Sequence, residues 1–248
     1  MAYISKDRIL SKLDEYLHKN DYVSAERHLL YWLEEALVNR DMQTELLVRN
    51  ELMGLYRKLG KQEEALLCVS AALERIEERQ IACQVGAATT FLNCATVYKA
   101  FGLSEKAIPL FETAQKVYEK ELEPHDDRLA GLYNNMALAL VDLKRFEEAR
   151  ALYKKAISIL QERKDGELEI AITYLNLASA AESELGLEDA AETIDAFAKK
   201  AEAILEAHTP RDGYYAFVCE KCATVFDYYG YFYYAKELAD RARRIYEA

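Results

Sequence analysis

Two cysteines in the sequence have the spacing of a dithiol site, Cys219-Glu220-Lys221-Cys222. Helical residues three apart share a face, so two thiols at this spacing could hold zinc or form a redox-active disulfide. No second dithiol pair is present, and the four histidines lack the spacing of zinc ligands: His18, His28, His125 and His208. Five cysteines is also an odd number, which favours free thiols in a reducing compartment. We therefore expect no metal and no cofactor.

Other kinds of chemistry find little support in the residues. The sequence has no Gly-rich phosphate loop, no Ser-His-Asp arrangement in a strand-turn-helix context and no clustered carboxylate pair outside ordinary helix faces. The formal charge of -11, without a basic stripe, argues against nucleic acid. No segment approaches the roughly 18 apolar residues of a membrane span, and the amino terminus has no signal-peptide pattern. We predict a cytoplasmic protein that is not an enzyme and binds neither nucleic acid nor membrane.

The elements that position the two cysteines follow from an internal repeat. An aromatic residue or leucine precedes a turn residue, and alanine follows that turn residue five positions later. The copies are Leu59-Gly60 with Ala65, Phe101-Gly102 with Ala107, Leu143-Lys144 with Ala149, Leu185-Gly186 with Ala191 and Tyr229-Gly230 with Ala235, after a degenerate first copy with Asn20 and Ala25. Successive turn residues (20, 60, 102, 144, 186, 230) are 40, 42, 42, 42 and 44 residues apart. The repeat is therefore about 42 residues long.

Each repeat has apolar residues at helical spacing before and after its turn, which predicts two antiparallel helices per unit. Nine glycines and three prolines among 248 residues fit helices better than sheets. Pro124 and Pro210 fall between units, whereas Pro109 lies near the start of a helix opened by Ser104, where a slight bend but no break is expected. The predicted fold is all-α, an α-solenoid of about six helix-turn-helix repeats with twelve helices.

This pattern resembles the tetratricopeptide repeat, and its long period resembles the repeats of kinesin light chains. Residues 132–160, LYNNMALALVDLKRFEEARALYKKAISIL, carry the likeness most clearly, and it extends over essentially the whole chain. The resemblance implies a right-handed superhelix whose concave side is lined by the first helix of each pair. We predict a single domain, residues 1–248, with units at about 5–40, 41–81, 82–123, 124–165, 166–208 and 209–248.

The turn and core positions of the repeat have specific requirements. A turn glycine ends the first helix in the left-handed conformation, and small residues five and twelve positions later allow close helix crossing. The core slots lie four, seven, eight and eleven residues before the turn, so Cys219 and Cys222 occupy core slots and are predicted to pack as small hydrophobes. Lys144 replaces a turn glycine, and Glu182 and Asp195 replace apolar residues, so we expect looser packing in the fifth unit.

Asparagine is frequent at the positions nine and ten residues before the turn, which point away from the core slots. The five predicted groove residues are Asn50, Asn93, Asn134, Asn135 and Asn176. An amide can pair with the backbone of an extended peptide, a use that the long-period family makes of these asparagines. Alternatively, the amides bond between neighbouring repeats or face water. Arg57 and Lys99, three residues before the turn, favour an acidic ligand end near the first repeats.

The carboxyl-terminal unit is rich in tyrosine. These rings either cap the open end of the solenoid or contact a second copy or another protein. The candidates for self-association are Tyr231, Tyr233, Tyr234 and Tyr246. We therefore expect a scaffold that binds a protein or peptide, with a homo-oligomerising module as the alternative. A peptide-sensing regulator would need an effector domain, which the sequence does not show.

Overall fold

The computed structural model describes residues 5–247 and builds them from α-helices without any strand. Within that range the twelve helices are α1 (Lys6–His18), α2 (Tyr22–Val38), α3 (Met42–Leu59), α4 (Gln62–Glu78), α5 (Val85–Ala100), α6 (Ser104–Glu121), α7 (Asp127–Asp142), α8 (Phe146–Gln161), α9 (Glu167–Leu185), α10 (Ala191–Ala207), α11 (Gly213–Tyr228) and α12 (Phe232–Tyr246). Each predicted unit contains one helix pair. The all-α repeat fold is confirmed.

The chain divides into two compact units, Met1–Glu121 and Leu122–Ala248. The first holds α1 to α6, and the second, which carries the candidate site, holds α7 to α12. In the second unit α7 packs on α8, α9 on α10 and α11 on α12, and the first helices α7, α9 and α11 also contact one another in series. Repeats 4, 5 and 6 thus present a continuous row of first helices. The organisation as a single domain stays a prediction.

The turns within repeats use the left-handed conformation that the sequence predicts. Gly60, Gly102 and Gly230 have φ of 68°, 73° and 86°, while Asn20 and Lys144 adopt φ of 53° and 59° without being glycine. A residue in this conformation lets the next backbone N–H reach back to the helix; the N–H that follows Lys144, for example, donates to a carbonyl 2.8 Å away. Lys144 therefore makes the same turn as its glycine counterparts at a conformational cost that they avoid.

The fifth turn differs from the others and corrects one prediction. Gly186 has φ 84° and ψ 161°, and α10 begins five residues later rather than two. The small residue that packs at the helix crossing is therefore Ala190, which is fully buried, whereas the predicted Ala191 is exposed. Ala190 lies one helical turn before the buried Ile194 and so shares its face.

The other close-packing positions agree with the sequence. The alanines twelve residues after each turn are at most 1% exposed: Ala72, Ala114, Ala156, Ala198 and Ala242. Pro109 lies inside α6, which runs unbroken from Ser104 to Glu121. Because the side chains at these crossings are small, the two helices of each pair pack closely. This close packing fixes the orientation of the first helices, and with it the faces that point away from the core.

Candidate ligand-binding groove

The first helices of repeats 4 to 6 enclose a groove of about 520 Å³ in the second unit. This volume lies within the range of small-ligand and peptide side-chain sites, about 300–1,000 Å³. The groove is lined by Gly131, Asn134, Asn135, Leu138, Glu169, Ile172, Leu175, Asn176, Tyr214, Phe217, Lys221, Cys222 and Val225. Three of the five predicted asparagines are among these residues. In repeats 4 and 5 the positions nine and ten residues before the turn thus line one cavity, and their role in binding stays a prediction.

Asn134 is bonded to the neighbouring repeat. Its Nδ2 donates to Oγ1 of Thr173 at 3.0 Å, and Oγ1 of Thr173 lies 3.2 Å from Oδ1 of Asn134. Thr173 is fully buried, and its hydroxyl also lies 2.8 Å from the carbonyl oxygen of Glu169. Asn135 donates to the carbonyl of Gly131 in its own helix at 2.8 Å. Asn134 thus bonds between neighbouring repeats, as in the alternative that the sequence left open, whereas Asn135 bonds within its own helix.

Asn176 occupies the same position in repeat 5 as Asn134 does in repeat 4, ten residues before the turn. The partner position in the following repeat, thirteen residues before its turn, is Thr173 for Asn134 but Phe217 for Asn176. Phenylalanine cannot accept or donate, and the half-buried amide of Asn176 has no hydrogen-bond partner among residues 5–247. The groove therefore holds a side-chain donor and acceptor that the repeat itself does not use.

The wall that α11 contributes to the groove is aromatic. The rings of Tyr214 and Phe217 stack with centroids 6.2 Å apart, and each side chain is 44% exposed. The ammonium of Lys221 lies 4.9 Å from the ring centroid of Phe217, and the Tyr214 hydroxyl donates to Oε1 of Glu169 at 2.8 Å. Burial, together with this carboxylate, raises the pKa of Tyr214 above its usual range. The wall is thus held in place by contacts on both of its edges.

The sequence reasoning missed these aromatic residues. Phe217 lies four residues before Lys221, which is itself nine residues before the turn, so one helical step backward from the predicted offsets would have found it. Leu138 lies three residues after Asn135, on the same helix face, and also lines the groove. The signal was therefore in the sequence, as a helical stripe rather than as two isolated positions.

The predicted residues of the first unit are dispersed. Asn50 lines a separate pocket of about 470 Å³, where its Nδ2 donates to Oγ1 of Thr90 at 3.1 Å and its buried Oδ1 has no partner. Asn93 is half-buried in α5 but does not line this pocket. Arg57 and Lys99 lie at the carboxyl ends of α3 and α5, away from the pocket lining. The structure therefore does not bring these two cations together with Asn50.

Residues 128–207 match the family model described as tetratricopeptide repeat. A search of curated proteins returns no match.

Solved structures extend the same fold over the rest of the chain. BtubC (BKLC) from P. vanneervenii is similar at 23% identity and a TM-score of 0.58, covering 92% of this chain and 90% of that one. A Podospora anserina protein described as a kinesin light chain, with nearly identical TPR-like repeats, is similar at 18% identity and a TM-score of 0.54, covering 82% and 95%. Tetratricopeptide repeats generally serve as protein-interaction scaffolds. The predicted resemblance is confirmed.

The helical repeat packs both cysteines of the CxxC pair into its core. Cys219 is fully buried and Cys222 is 1% exposed. Burial raises the pKa of both thiols, that of Cys222 to about 12, so neither forms a thiolate readily at neutral pH. Among residues 5–247, no cluster of three or more potential metal ligands is found. The pair fills core slots, as the repeat predicts.

The polar residues that depart from the pattern in repeat 5 are partners of tyrosines in repeat 6. Glu182 accepts from the hydroxyls of Tyr228 and Tyr229 at 2.6 and 2.8 Å, and Asp195 accepts from Tyr231 at 2.8 Å. The tyrosines and the carboxylates thus form a polar seam that joins the last two repeats.

The four predicted self-association tyrosines fall into two groups. Tyr231 belongs to the seam, and Tyr234 donates to Glu206 at 2.8 Å, so both act within the chain. Tyr233 is 96% exposed and Tyr246 is 48% exposed. Self-association through the carboxyl-terminal repeat stays a prediction.

No helix in the part of the chain that the structure describes, residues 5–247, is both long and apolar enough to cross a membrane. The cytoplasmic location stays a prediction.

Proposed function

We propose that the groove of repeats 4 to 6 binds an extended peptide segment of another protein. The observation that carries this proposal is the amide of Asn176, which lies unpaired in a groove of about 520 Å³ while its counterpart Asn134 is bonded to Thr173. A primary amide can donate to a peptide carbonyl and accept from a peptide N–H at the same time. It therefore suits a ligand whose backbone is extended and not already paired.

The remaining lining favours apolar side chains on that peptide. Ile172, Leu138 and Val225 supply aliphatic surface, and Tyr214 and Phe217 supply a stacked aromatic wall. Aromatic anchors in a partly desolvated pocket commonly carry much of the binding free energy. The lining also carries the carboxylate of Glu169 and the ammonium of Lys221, so ionic attraction of one sign does not dominate. Recognition then depends on the amide and on shape.

A selection of random peptides displayed on phage, performed against the full chain, tests this proposal. Phe217→Asp removes the aromatic wall and introduces a charge into the groove, so selected peptides should lose binding to this variant. Tyr233→Asp is the matched control, since it places the same charge on an exposed aromatic of repeat 6 outside the groove lining. Equal binding to both variants would place the peptide elsewhere, and recovery of no sequence-related peptides would contradict the proposal.

A further inference from the structure

The second helix of repeat 1 exposes an apolar stripe that no other helix among residues 5–247 covers. In α2, the five large apolar side chains between 42% and 75% exposed are Val23, Leu30, Tyr31, Leu37 and Val38. Of the corresponding second helices within the described residues, α6, α8 and α10 expose no large hydrophobic side chain, α4 exposes only Leu67, and α12 exposes aromatic rings. A run of several exposed aliphatic side chains is therefore found on α2 and not on these other second helices, and it does not follow from the repeat pattern.

The stripe has the geometry of a helix-pairing seam. Val23, Leu30 and Leu37 are seven residues apart, and at 100° per residue all five side chains fall within an arc of about 120°. The opposite side of α2 packs into the core through Leu29 and Ala36. A second helix laid along the stripe would therefore meet apolar side chains over about 22 Å, the rise between Val23 and Val38.

Two exposed charges lie in the middle of this stripe, Arg27 and Glu34. Neither forms an ion pair with any other residue in the range 5–247 that the structure describes. They stand seven residues apart on the same line as the apolar positions, with Arg27 toward the amino end and Glu34 toward the carboxyl end. When two copies of α2 lie antiparallel, each of these charges can therefore face the opposite charge of the other copy.

We propose that α2 pairs with α2 of a second copy of this chain, antiparallel and about a two-fold axis between Leu30 and Tyr31. This register brings Arg27 level with Glu34 of the second copy, because the two residue numbers are equidistant from the axis. Leu30 then meets Tyr31 of the second copy, and Val23 meets Val38. The contact is isologous, and each charge has an opposite charge across the interface.

This interface does not depend on the peptide groove. The stripe lies on the first unit and the groove on the second, and none of the groove-lining residues belongs to α2. One helix face on each side is less than the area of a standard interface, so the dimer is expected to be weak and dependent on concentration.

Sedimentation equilibrium of the full chain over a wide concentration range tests the pairing. The mass should rise from 28.4 kDa toward twice that value as concentration increases. Arg27→Glu puts like charges opposite each other at two symmetric places and should weaken association about tenfold or more. Glu34→Arg should do the same, and the double variant Arg27→Glu/Glu34→Arg should restore it, since the pairs are then reversed but complementary.

The control variant changes an exposed residue near the other end of the chain. Arg244→Glu makes the same charge change on an exposed position of α12 and should leave the mass distribution unchanged. A monomer at all concentrations would overturn the proposal. Equal weakening by Arg244→Glu, or a double variant no better than the single ones, would also overturn it. Both Arg27 and Glu34 are exposed, so a circular dichroism spectrum like that of the wild type is expected in each case.

Discussion

Thr173→Val should destabilise the chain by removing the hydroxyl that pairs with Asn134. Valine is close to threonine in shape, so the main loss at this fully buried position is that of the hydroxyl's hydrogen bonds. The hydroxyl accepts from Nδ2 of Asn134 at 3.0 Å, and its single proton serves either the carbonyl of Glu169 at 2.8 Å or Oδ1 of Asn134 at 3.2 Å. Loss of the hydrogen bond from Asn134 should lower the free energy of unfolding by about 1 kcal/mol, and by more if the amide N–H is left without a partner.

The magnitude follows from the position of Asn134, which is half-buried and can reach water in the groove once the threonine hydroxyl is gone. We therefore expect about 1–1.5 kcal/mol, or a fall in Tm of roughly 2–6 °C for a chain of this size. Asn134→Ala should cost less, because alanine is the better helix former. A double-mutant cycle in urea should give a coupling free energy of about 1 kcal/mol between the two positions.

Thr96→Val is the matched control, because the Thr96 hydroxyl donates only to the carbonyl four residues earlier in its own helix, at 2.8 Å. This variant should change stability by less than about 0.5 kcal/mol. A coupling near zero between Asn134 and Thr173 would refute the reasoning. It would mean that Asn134 already exchanges with water and is as free for a ligand as Asn176.

Three further perturbations test other features of the fold. Lys144→Gly should stabilise the chain by about 0.5–1 kcal/mol in urea unfolding, since φ of 59° costs a side chain more than it costs glycine; a loss of stability would contradict the turn analysis. A thiol reagent should modify the exposed Cys83 in the native chain and all five cysteines only after unfolding; rapid native modification of the CxxC pair would contradict its burial. Hydrogen bonds from Lys199 and Tyr231 lower the pKa of Asp195 in the seam, and the pKa of Glu206, outside the seam, is lowered chiefly by Arg241. The stabilisation from both carboxylates is present above about pH 4 and should fall as the pH drops below it, so a Tm that stayed level through this window would contradict these contacts.

Much of the fold could be predicted from the sequence because the repeat constrains it many times over. The turn positions, the buried alanines and the core slots recur at fixed offsets, so each copy supports the others. The error at Ala191 arose where this redundancy fails, since Gly186 adopts a different ψ and α10 begins later than the pattern implies. A shift of one residue at a single turn has no signature in composition or spacing.

The candidate site could be predicted in outline but not in its division of roles. Spacing placed Asn134 and Asn176 at equivalent positions, yet one is bonded to a threonine and the other is not. That difference depends on a residue about forty positions later, in the next repeat, and becomes visible only when the two helices are side by side. The same holds for Glu182, which looked like a weakness in repeat 5 until two tyrosines of repeat 6 were found to donate to it.

The most direct test of the peptide-binding account is the dissociation constant of one selected peptide, measured by fluorescence anisotropy for the wild type, Asn176→Ala and Asn93→Ala. Asn93 is the matched control because it is a half-buried asparagine on a first helix, unpaired within residues 5–247 and outside the groove. The account predicts that Asn176→Ala weakens binding about tenfold, which corresponds to about 1.4 kcal/mol, while Asn93→Ala leaves it unchanged. Unchanged binding for Asn176→Ala, or an equal loss for both variants, would contradict it.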